Sequence, residues 1–133
     1  MSVVFDTEAL LIFYLDEVGA QTVERYLEKI QNKELTGYLS IVNLMEFYYV
    51  VFRRDARLAD EKEKSLRSYG LRIVPVTDDR LWKEASIIKA RCALSLADAF
   101  AAATSKMMKA KLITGRDREF ERAGVATIKL GEG

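Results

Sequence analysis

The sequence predicts an α/β protein in which helices cover both faces of a mostly parallel sheet. Short runs rich in β-branched and aromatic residues alternate with longer segments whose apolar residues recur every three or four positions. This alternation is typical of parallel strands joined by right-handed helical crossovers, which form layers on either side of the sheet. Because 133 residues suffice for one buried core, we expect a single domain over residues 1–133.

Five short apolar runs are predicted to be strands. The first, Val3-Val4-Phe5, is β-branched and aromatic and ends at Asp6. Pro75 closes the third run, and Gly115 breaks the fourth. The predicted strands lie, in chain order, at residues 2–5, 37–39, 71–74, 112–113 and 125–130.

The segments between these runs carry helical periodicity and ordinary helix-end signals. Val23, Leu27 and Ile30 recur along one side of the second segment. Ser40 is a typical N-cap for the third helix, and Gly70 ends the fourth as a C-terminal glycine does. The predicted helices lie at residues 7–15, from a turn at Gly19 to 33, at 41–54, 58–69, from Asp78 or Asp79 to 92, and at 96–109, with at most one helical turn over 117–123.

Composition excludes several kinds of chemistry. The chain has no histidine, which removes His general bases, Ser–His and Cys–His nucleophiles and His-bound zinc. Its one cysteine, Cys92, is predicted to be a core thiol, and a lone cysteine suits a reducing cytoplasm. We expect no secretory signal and no membrane span, since the apolar run 41–52 is short and contains Glu46. The 21 Lys and Arg nearly balance the 20 Asp and Glu, so a nucleic-acid surface would need local clustering.

Four acids that are far apart in the sequence are predicted to meet at one edge of the sheet. Asp6 follows the first strand and Asp117 the fourth, so both fall at the carboxyl edge, where open α/β sheets bind ligands. Asp98 lies near the start of its helix, and Glu46 lies about one and a half turns into the helix after the second strand. Simpler roles stay open: Asp6, Asp98 and Asp117 can cap the helix or turn that follows, and Glu46 can lie on a thin exposed face.

Converging carboxylates repel one another unless a cation neutralises them. An all-oxygen site without Cys or His favours Mg²⁺ or Mn²⁺, which can activate a water for attack on a phosphodiester. Thr7 and Thr114 at the same edge are candidate substrate contacts, with capping or turn roles as the alternative. Arg116 and Arg118 flank Asp117 and are candidates for contacting the phosphates of such a substrate, with a solvated surface as the alternative.

Four stretches of the chain carry a family resemblance. They are Val3-Val4-Phe5-Asp6-Thr7-Glu8-Ala9-Leu10, Glu46 after Ser40-Ile41-Val42-Asn43-Leu44, Leu94-Ser95-Leu96-Ala97-Asp98-Ala99, and Leu112-Ile113-Thr114 with Asp117-Arg118-Glu119-Phe120. In this order they resemble the PIN-domain family, and more narrowly its VapC-like toxin ribonucleases. The resemblance implies a three-layer α/β/α sandwich and an endonuclease for single-stranded or structured RNA. It also implies that Asp6, Glu46, Asp98 and Asp117 bind Mg²⁺ or Mn²⁺, that the chain forms a homodimer, and that a cognate antitoxin occupies the site.

The sequence departs from the family pattern in two places. Glu8 stands where the family usually has Ser, Asn or another small residue, so it can either join the metal ligands or point away and alter RNA contacts. Thr114-Gly115-Arg116-Asp117 has one residue more than the usual Thr-x-Asp spacing. Both departures lie next to predicted ligands.

Two other functions remain open at this point. Asp6-Thr7-Glu8 faintly resembles the nucleophile motif of haloacid-dehalogenase-like phosphatases, and receiver domains also gather acids at strand ends. Both would need a lysine at a later strand end, whereas Lys111 precedes its strand. A non-catalytic PIN-like module that binds RNA or protein is the second alternative, and the costly repulsion among four retained acids argues against it.

Overall fold

The structure of the chain, a computed structural model, describes residues 1–115 and 119–130. Within these ranges the centre is a five-stranded sheet of order β3-β2-β1-β4-β5, in which every pair of neighbouring strands is parallel. The strands are β1 Ser2–Phe5, β2 Thr36–Ser40, β3 Arg72–Val74, β4 Lys111–Thr114 and β5 Thr127–Lys129. All five predicted strands are confirmed, and the sheet that was expected to be mostly parallel is wholly so over the described residues.

Six α-helices and one 3₁₀-helix connect these strands in the described part of the chain. They are α1 Thr7–Tyr14, α2 Ala20–Gln31, α3 Ile41–Arg54, α4 Ala56–Ser68, α5 Asp79–Arg91, α6 Leu96–Met108 and the 3₁₀-helix Glu119–Ala123. The fourth helix begins two residues before its predicted start at Leu58, because the Asp55 side chain accepts a hydrogen bond from Arg57 N at 3.0 Å and caps it there. Over the described residues, none of the helices is long and apolar enough to cross a membrane.

Successive side chains of β1 point to opposite faces of the sheet and belong to two separate layers of the core. Val3 and Phe5 pack with apolar residues of α1 to α4 on one face of the sheet, while Val4 packs with α5 and α6 on the other. All three side chains are fully buried, and burial of such a side chain stabilises the fold by roughly 1.5–3 kcal/mol. The predicted three-layer α/β/α sandwich is therefore confirmed.

Capping side chains fix where three helices begin: α3 and α5 follow β2 and β3 at the carboxyl edge of the sheet, and α6 follows α5. Ser40 Oγ accepts a hydrogen bond from Val42 N at 3.2 Å at the start of α3. Asp78 caps α5 by accepting from Arg80 N at 2.8 Å, and Ser95 caps α6 by accepting from Asp98 N at 3.1 Å. Each such cap stabilises its helix by about 1 kcal/mol.

The strand order creates a crevice at the end of β1. The chain leaves β1 toward β2 on one side, whereas it leaves β4 toward β5 on the other side. At such a reversal the two connections diverge and open a cleft beyond the carboxyl ends of the strands, where open α/β sheets bind ligands. The residues that follow β1 and β4 are therefore the first place to look for a functional site.

Candidate active site

Asp6 is held at the junction of β1 and β4 with only 1% of its surface exposed. Its backbone N–H donates to Ile113 O at 3.1 Å, which extends the pairing of the two strands past Phe5. Its Oδ1 accepts a hydrogen bond from Ala9 N at 2.7 Å and caps α1. Its Oδ2 is buried without a hydrogen-bond partner among the described residues. The cap thus accounts for one carboxylate oxygen and leaves the other uncompensated, which is costly in a buried position.

The surroundings of Asp6 raise its pKa from 3.8 to about 7. Burial is the largest cause, because it disfavours the charged form, and the charges of Asp98 and Glu8 raise the pKa further. The nearby Thr114 hydroxyl and the Ala9 N–H act in the opposite direction. Although Thr114 lies close enough to lower this pKa, its buried Oγ1 makes no hydrogen bond of good geometry to the described residues. Two further carboxyl groups therefore lie close enough to Asp6 to act on its charge.

Glu8 lies in the first turn of α1 and is exposed, yet its side chain reaches across to the end of β4. A Cβ placed on Gly115 would overlap the Glu8 carboxyl group. Glycine at position 115 leaves the space that the end of the Glu8 side chain occupies, and a Cβ there would displace that flexible end. Glu8 thus faces the strand end that follows Thr114.

Asn43 is a fully buried polar residue that the sequence analysis did not place in the site. Its Nδ2 donates to Thr7 Oγ1 at 3.0 Å and to Ala97 O at 3.2 Å, so one amide joins the starts of α1, α3 and α6. Thr7 Oγ1 in turn donates to Asn43 O at 3.4 Å. Asn43 Oδ1 is buried without a partner among the described residues. An asparagine inside the apolar run 41–44 was the available signal, since a polar group is buried there only when it is hydrogen-bonded.

Replacing Asn43 by Ala is expected to lower the free energy of unfolding by about 2 kcal/mol, because Thr7 Oγ1 and Ala97 O lose their shared donor. Chemical denaturation followed by circular dichroism measures the change. Asn32→Ala is the matched control, since Asn32 is exposed at the end of α2 and its side chain makes no hydrogen bond to the described residues. Equal stability of both variants would show that the Asn43 bridge does not stabilise the fold.

Of the other predicted ligands, one acts electrostatically on Asp6, one lies on α3, and one is outside the described residues. Asp98, in the first turn of α6, is half-buried, and its charge acts on Asp6. Glu46 is half-buried three residues after Asn43, on the same face of α3, and makes no hydrogen bond or ion pair to the described residues. Asp117, with Arg116 and Arg118, lies outside the described residues. The ligand roles of these acids and the substrate contacts stay predictions.

The oxygens at this edge match what a hard divalent cation binds. Within residues 1–115 and 119–130, no three acid or cysteine side chains form a complete metal-binding group. However, three buried oxygens there have no partner among the described residues: Asp6 Oδ2, Asn43 Oδ1 and Thr114 Oγ1. Mg²⁺ and Mn²⁺ prefer oxygen ligands and usually bind through one or two carboxylates. These unpartnered buried oxygens are therefore of the chemical kind that such an ion binds.

Comparison with solved structures shows the same fold in chains of several proteins, one of them a toxin–antitoxin complex. A chain of the VapBC2 complex from Rickettsia felis, bound to a DNA fragment from its promoter, matches with a TM-score of 0.77 and 15% identity over 98% of this chain and 100% of that chain. A chain of FitAcB from Neisseria gonorrhoeae gives 0.71 and 24% over 95% and 96%. A toxin–antitoxin complex from Klebsiella pneumoniae gives 0.69 and 19% over 95% of each chain. At these identities the likeness shows the fold alone.

Sequence comparison identifies the family. No curated protein matches the chain. Residues 3–126 match the family described as the PIN domain, which covers both strand ends and every described acid discussed above. The resemblance seen in the four sequence stretches is thereby confirmed, and the chain belongs to the PIN domain family.

Proposed function

We propose that this chain is a Mg²⁺- or Mn²⁺-dependent endoribonuclease that hydrolyses phosphodiester bonds of single-stranded RNA. The observation that carries the proposal is Asp6, a buried carboxyl group with one uncompensated oxygen and two further carboxyl groups acting on it. Membership of the PIN domain family supports nuclease chemistry in general. Burying this acid costs stability, and a bound cation would offset that cost.

The proposed metal ligands are Asp6, Glu46, Asp98 and Asp117. A divalent cation held by these carboxylates would supply a water of lowered pKa and charge stabilisation for the leaving oxygen. Pairing with Ile113 and the hydrogen bond from Ala9 orient the Asp6 carboxyl group before any ligand binds. Such preorganisation is how a site avoids reorganisation during reaction. The scheme needs no histidine, which agrees with the composition.

The proposed substrate contacts are Thr7, Thr114, Arg116 and Arg118. Thr114 supports this role best among the described residues, since its hydroxyl is beside Asp6 without a hydrogen-bond partner. The Thr7 hydroxyl already donates to Asn43 and accepts from it, which leaves one acceptor position for a ligand. The two arginines would contact phosphate oxygens, because guanidinium groups bind phosphates through several donors.

We further propose that the chain is the cytoplasmic toxin of a toxin–antitoxin pair and forms a homodimer. The toxin–antitoxin assemblies with the same fold support a cognate antitoxin as partner. An exposed apolar stripe on α3, formed by Met45, Tyr49 and Phe52 at helical spacing, supports a protein interface. Such a surface is unusual for a chain without a partner.

Metal binding and cleavage together test the proposed activity. Mn²⁺ is expected to raise the melting temperature of the metal-stripped protein, and a concentration of one hundred times the dissociation constant would stabilise it by about 2.7 kcal/mol. The same protein is expected to cleave a fluorescent single-stranded RNA with Mn²⁺ and to stop when EDTA is added. A melting temperature unchanged by millimolar metal would contradict a metal site in the folded protein.

The same assay separates the alternative functions. Hydrolysis of p-nitrophenyl phosphate without RNA cleavage would favour a phosphatase. RNA binding without cleavage of any substrate would favour a non-catalytic module. Asp6 is buried and has one oxygen engaged in a helix cap. This position gives no support to a phosphatase or to a non-catalytic module over the nuclease.

A further inference from the structure

Two helices of this chain end in a lysine whose backbone is left-handed. Lys33 after α2 has a φ of 62°, and Lys109 after α6 has a φ of 51°. Each occupies the left-handed position of a Schellman motif, which in α6 is closed by a hydrogen bond from Ala110 N to Ser105 O at 3.0 Å and in α2 by the equivalent bond. Glycine is the usual residue there, because a Cβ makes this conformation unfavourable. Both lysines therefore stand where a side chain lowers stability.

The helix dipole does not require these two lysines. A cation in the last turn of a helix is favoured by the dipole, and α2 already has Lys29 there while α6 has Lys106. The helix α4, which also leads directly into a strand, is followed by Gly70 with a φ of 96°. The chain thus uses glycine at one helix end of this kind and lysine at the two others. The charges of Lys33 and Lys109 therefore indicate a role outside helix formation.

Both lysines lie at the amino edge of the sheet, opposite the edge that holds Asp6. The helices α2 and α6 lead directly into β2 and β4, so their ends meet the starts of these strands. Two surface cavities open along this edge, one of about 550 Å³ at the starts of β2 and β3 and one of about 360 Å³ beside the start of β4. The basic residues that line them, here called the amino-edge group, are Lys33 and Arg72 in the first cavity and Lys106, Lys109 and Lys111 in the second.

Most of this positive charge is not neutralised by the described part of the chain. Lys106 pairs with Glu84 at 3.5 Å, whereas the other four members of the amino-edge group are exposed and make no ion pair to the described residues. Among the described residues that line the two cavities, none is acidic. Some negative charge reaches the first cavity, since burial and then the charges of Glu24 and Glu28 raise the pKa of Tyr69 in its wall. The edge as a whole is suited to an anion.

An extended polyanion fits this edge better than a single small anion does. The amino-edge group extends over three strand intervals, from β3 to β4, which corresponds to about 14 Å. Cations in such a row can each contact a different phosphate of one nucleic-acid strand. The carboxyl edge carries acids that repel phosphates in the metal-free protein, and the net charge of the chain is only +1. Affinity for a nucleic-acid backbone therefore needs a local cluster of cations such as this one.

On the basis of the RNA substrate in the proposed function, we propose that the amino-edge group is a second contact surface for single-stranded RNA, which binds the phosphate backbone away from the cleaved bond. Lysine binds phosphate as a point charge, and phosphate contacts do not read the bases. The surface therefore adds affinity without adding sequence preference.

Fluorescence anisotropy of a labelled single-stranded RNA in EDTA measures binding to this surface without cleavage. Lys33→Gln/Lys109→Gln removes one charge from each cavity and is expected to raise Kd about tenfold at low salt. The slope of log Kd against log salt concentration is expected to fall by about 1.4, since each contact with a single strand contributes about 0.7. Arg25→Gln/Lys64→Gln is the matched control and is expected to bind like the parent, because both residues are exposed, line neither cavity and make no ion pair to the described residues.

Glycine at the same two positions separates the charge from the backbone strain. Lys33→Gly/Lys109→Gly removes both charges and relieves the left-handed strain, so it is expected to raise the melting temperature by a few degrees and to weaken RNA binding as the glutamine variant does. Lys33→Arg/Lys109→Arg keeps both charges and is expected to bind like the parent. A lower melting temperature in the glutamine variant with unchanged RNA affinity would assign the lysines to the helix dipole and overturn the proposal.

This surface and the proposed nuclease activity fail separately. Equal weakening of RNA binding in the glutamine variant and in its matched control would assign the effect to net charge and overturn the surface. If the parent cleaves RNA with Mn²⁺ while the glutamine variant binds RNA like the parent, the surface is wrong and the nuclease stands. If the glutamine variant alone loses affinity while the parent cleaves no RNA with Mg²⁺ or Mn²⁺, the surface stands and the nuclease is wrong. A parent that does not bind RNA in EDTA would also overturn the surface.

Discussion

Asp6→Asn is expected to lower Mn²⁺-dependent cleavage of single-stranded RNA by more than about a hundredfold without unfolding the protein. The asparagine Oδ1 can still accept the hydrogen bond from Ala9 N, and asparagine caps helices as well as aspartate does. The variant loses the negative charge that a divalent cation would need at this position. Single-turnover cleavage of a fluorescent RNA gives the rate, and circular dichroism gives the fold.

Asp55→Asn is the matched control for this experiment. Asp55 caps α4 through a hydrogen bond from Arg57 N at 3.0 Å, so the substitution is chemically identical and concerns a helix cap away from the strand ends. We expect Asp55→Asn to cleave RNA at the parent rate. Full activity in Asp6→Asn would remove Asp6 from the catalytic set, and an equal loss in both variants would assign the effect to helix capping.

Local signals explain why most element boundaries could be predicted. Ser40, Asp78 and Ser95 bond backbone groups two or three residues away, so their effect is contained in a short stretch of sequence. Asp55 acts in the same way, but the residues between it and Leu58 lack the apolar spacing that indicates a helix, so the start of α4 was placed too late. A cap is therefore a better boundary signal than the first apolar residue.

The position of Asp6 and of the end of β4 at the carboxyl edge also followed from the sequence, for a different reason. Parallel strands bring their carboxyl ends to one edge whatever their order, so Asp6 and the residues after β4 had to lie at the same edge of the sheet. The adjacency of β1 and β4 was not predicted. It places Asp6 beside Thr114 and Gly115 and makes this the crevice of the sheet.

Side-chain contacts between elements that are distant in the chain could not be predicted from the sequence. The Asn43 amide bonds Thr7 and Ala97, which are separated from it by 36 and 54 positions in the sequence. No local pattern specifies which helix starts will approach this amide. The contact of Glu8 with Gly115 likewise depends on how α1 leaves β1 next to β4. These contacts arise from the packing of three layers, which a single sequence does not encode in any short stretch.

The metal-free protein is expected to lose stability as the pH rises from about 4 to about 8. Asp6 has a pKa of about 7 in the folded protein against 3.8 for the ordinary group, so between these values the folded state binds a proton that the unfolded state has released. Its stabilising contribution is therefore complete below the unfolded pKa and is lost as the pH rises through the folded one. The difference corresponds to about 4 kcal/mol. Urea denaturation in EDTA at several pH values measures it.

Comparison with Asp6→Asn isolates this effect from that of the other acids. The amide does not titrate, so the variant is expected to show a shallower fall in stability over the same pH range, and its advantage over the parent should be largest at about pH 8. Because a cation binds the ionised carboxylate, saturating Mn²⁺ is expected to stabilise the parent more at high pH than at low pH and to reduce or reverse the slope. Parallel curves for parent and variant in EDTA would mean that Asp6 does not carry the raised pKa. Parallel curves for the parent with and without Mn²⁺ would mean that no cation binds to this carboxylate, which ties the measurement directly to the proposed site.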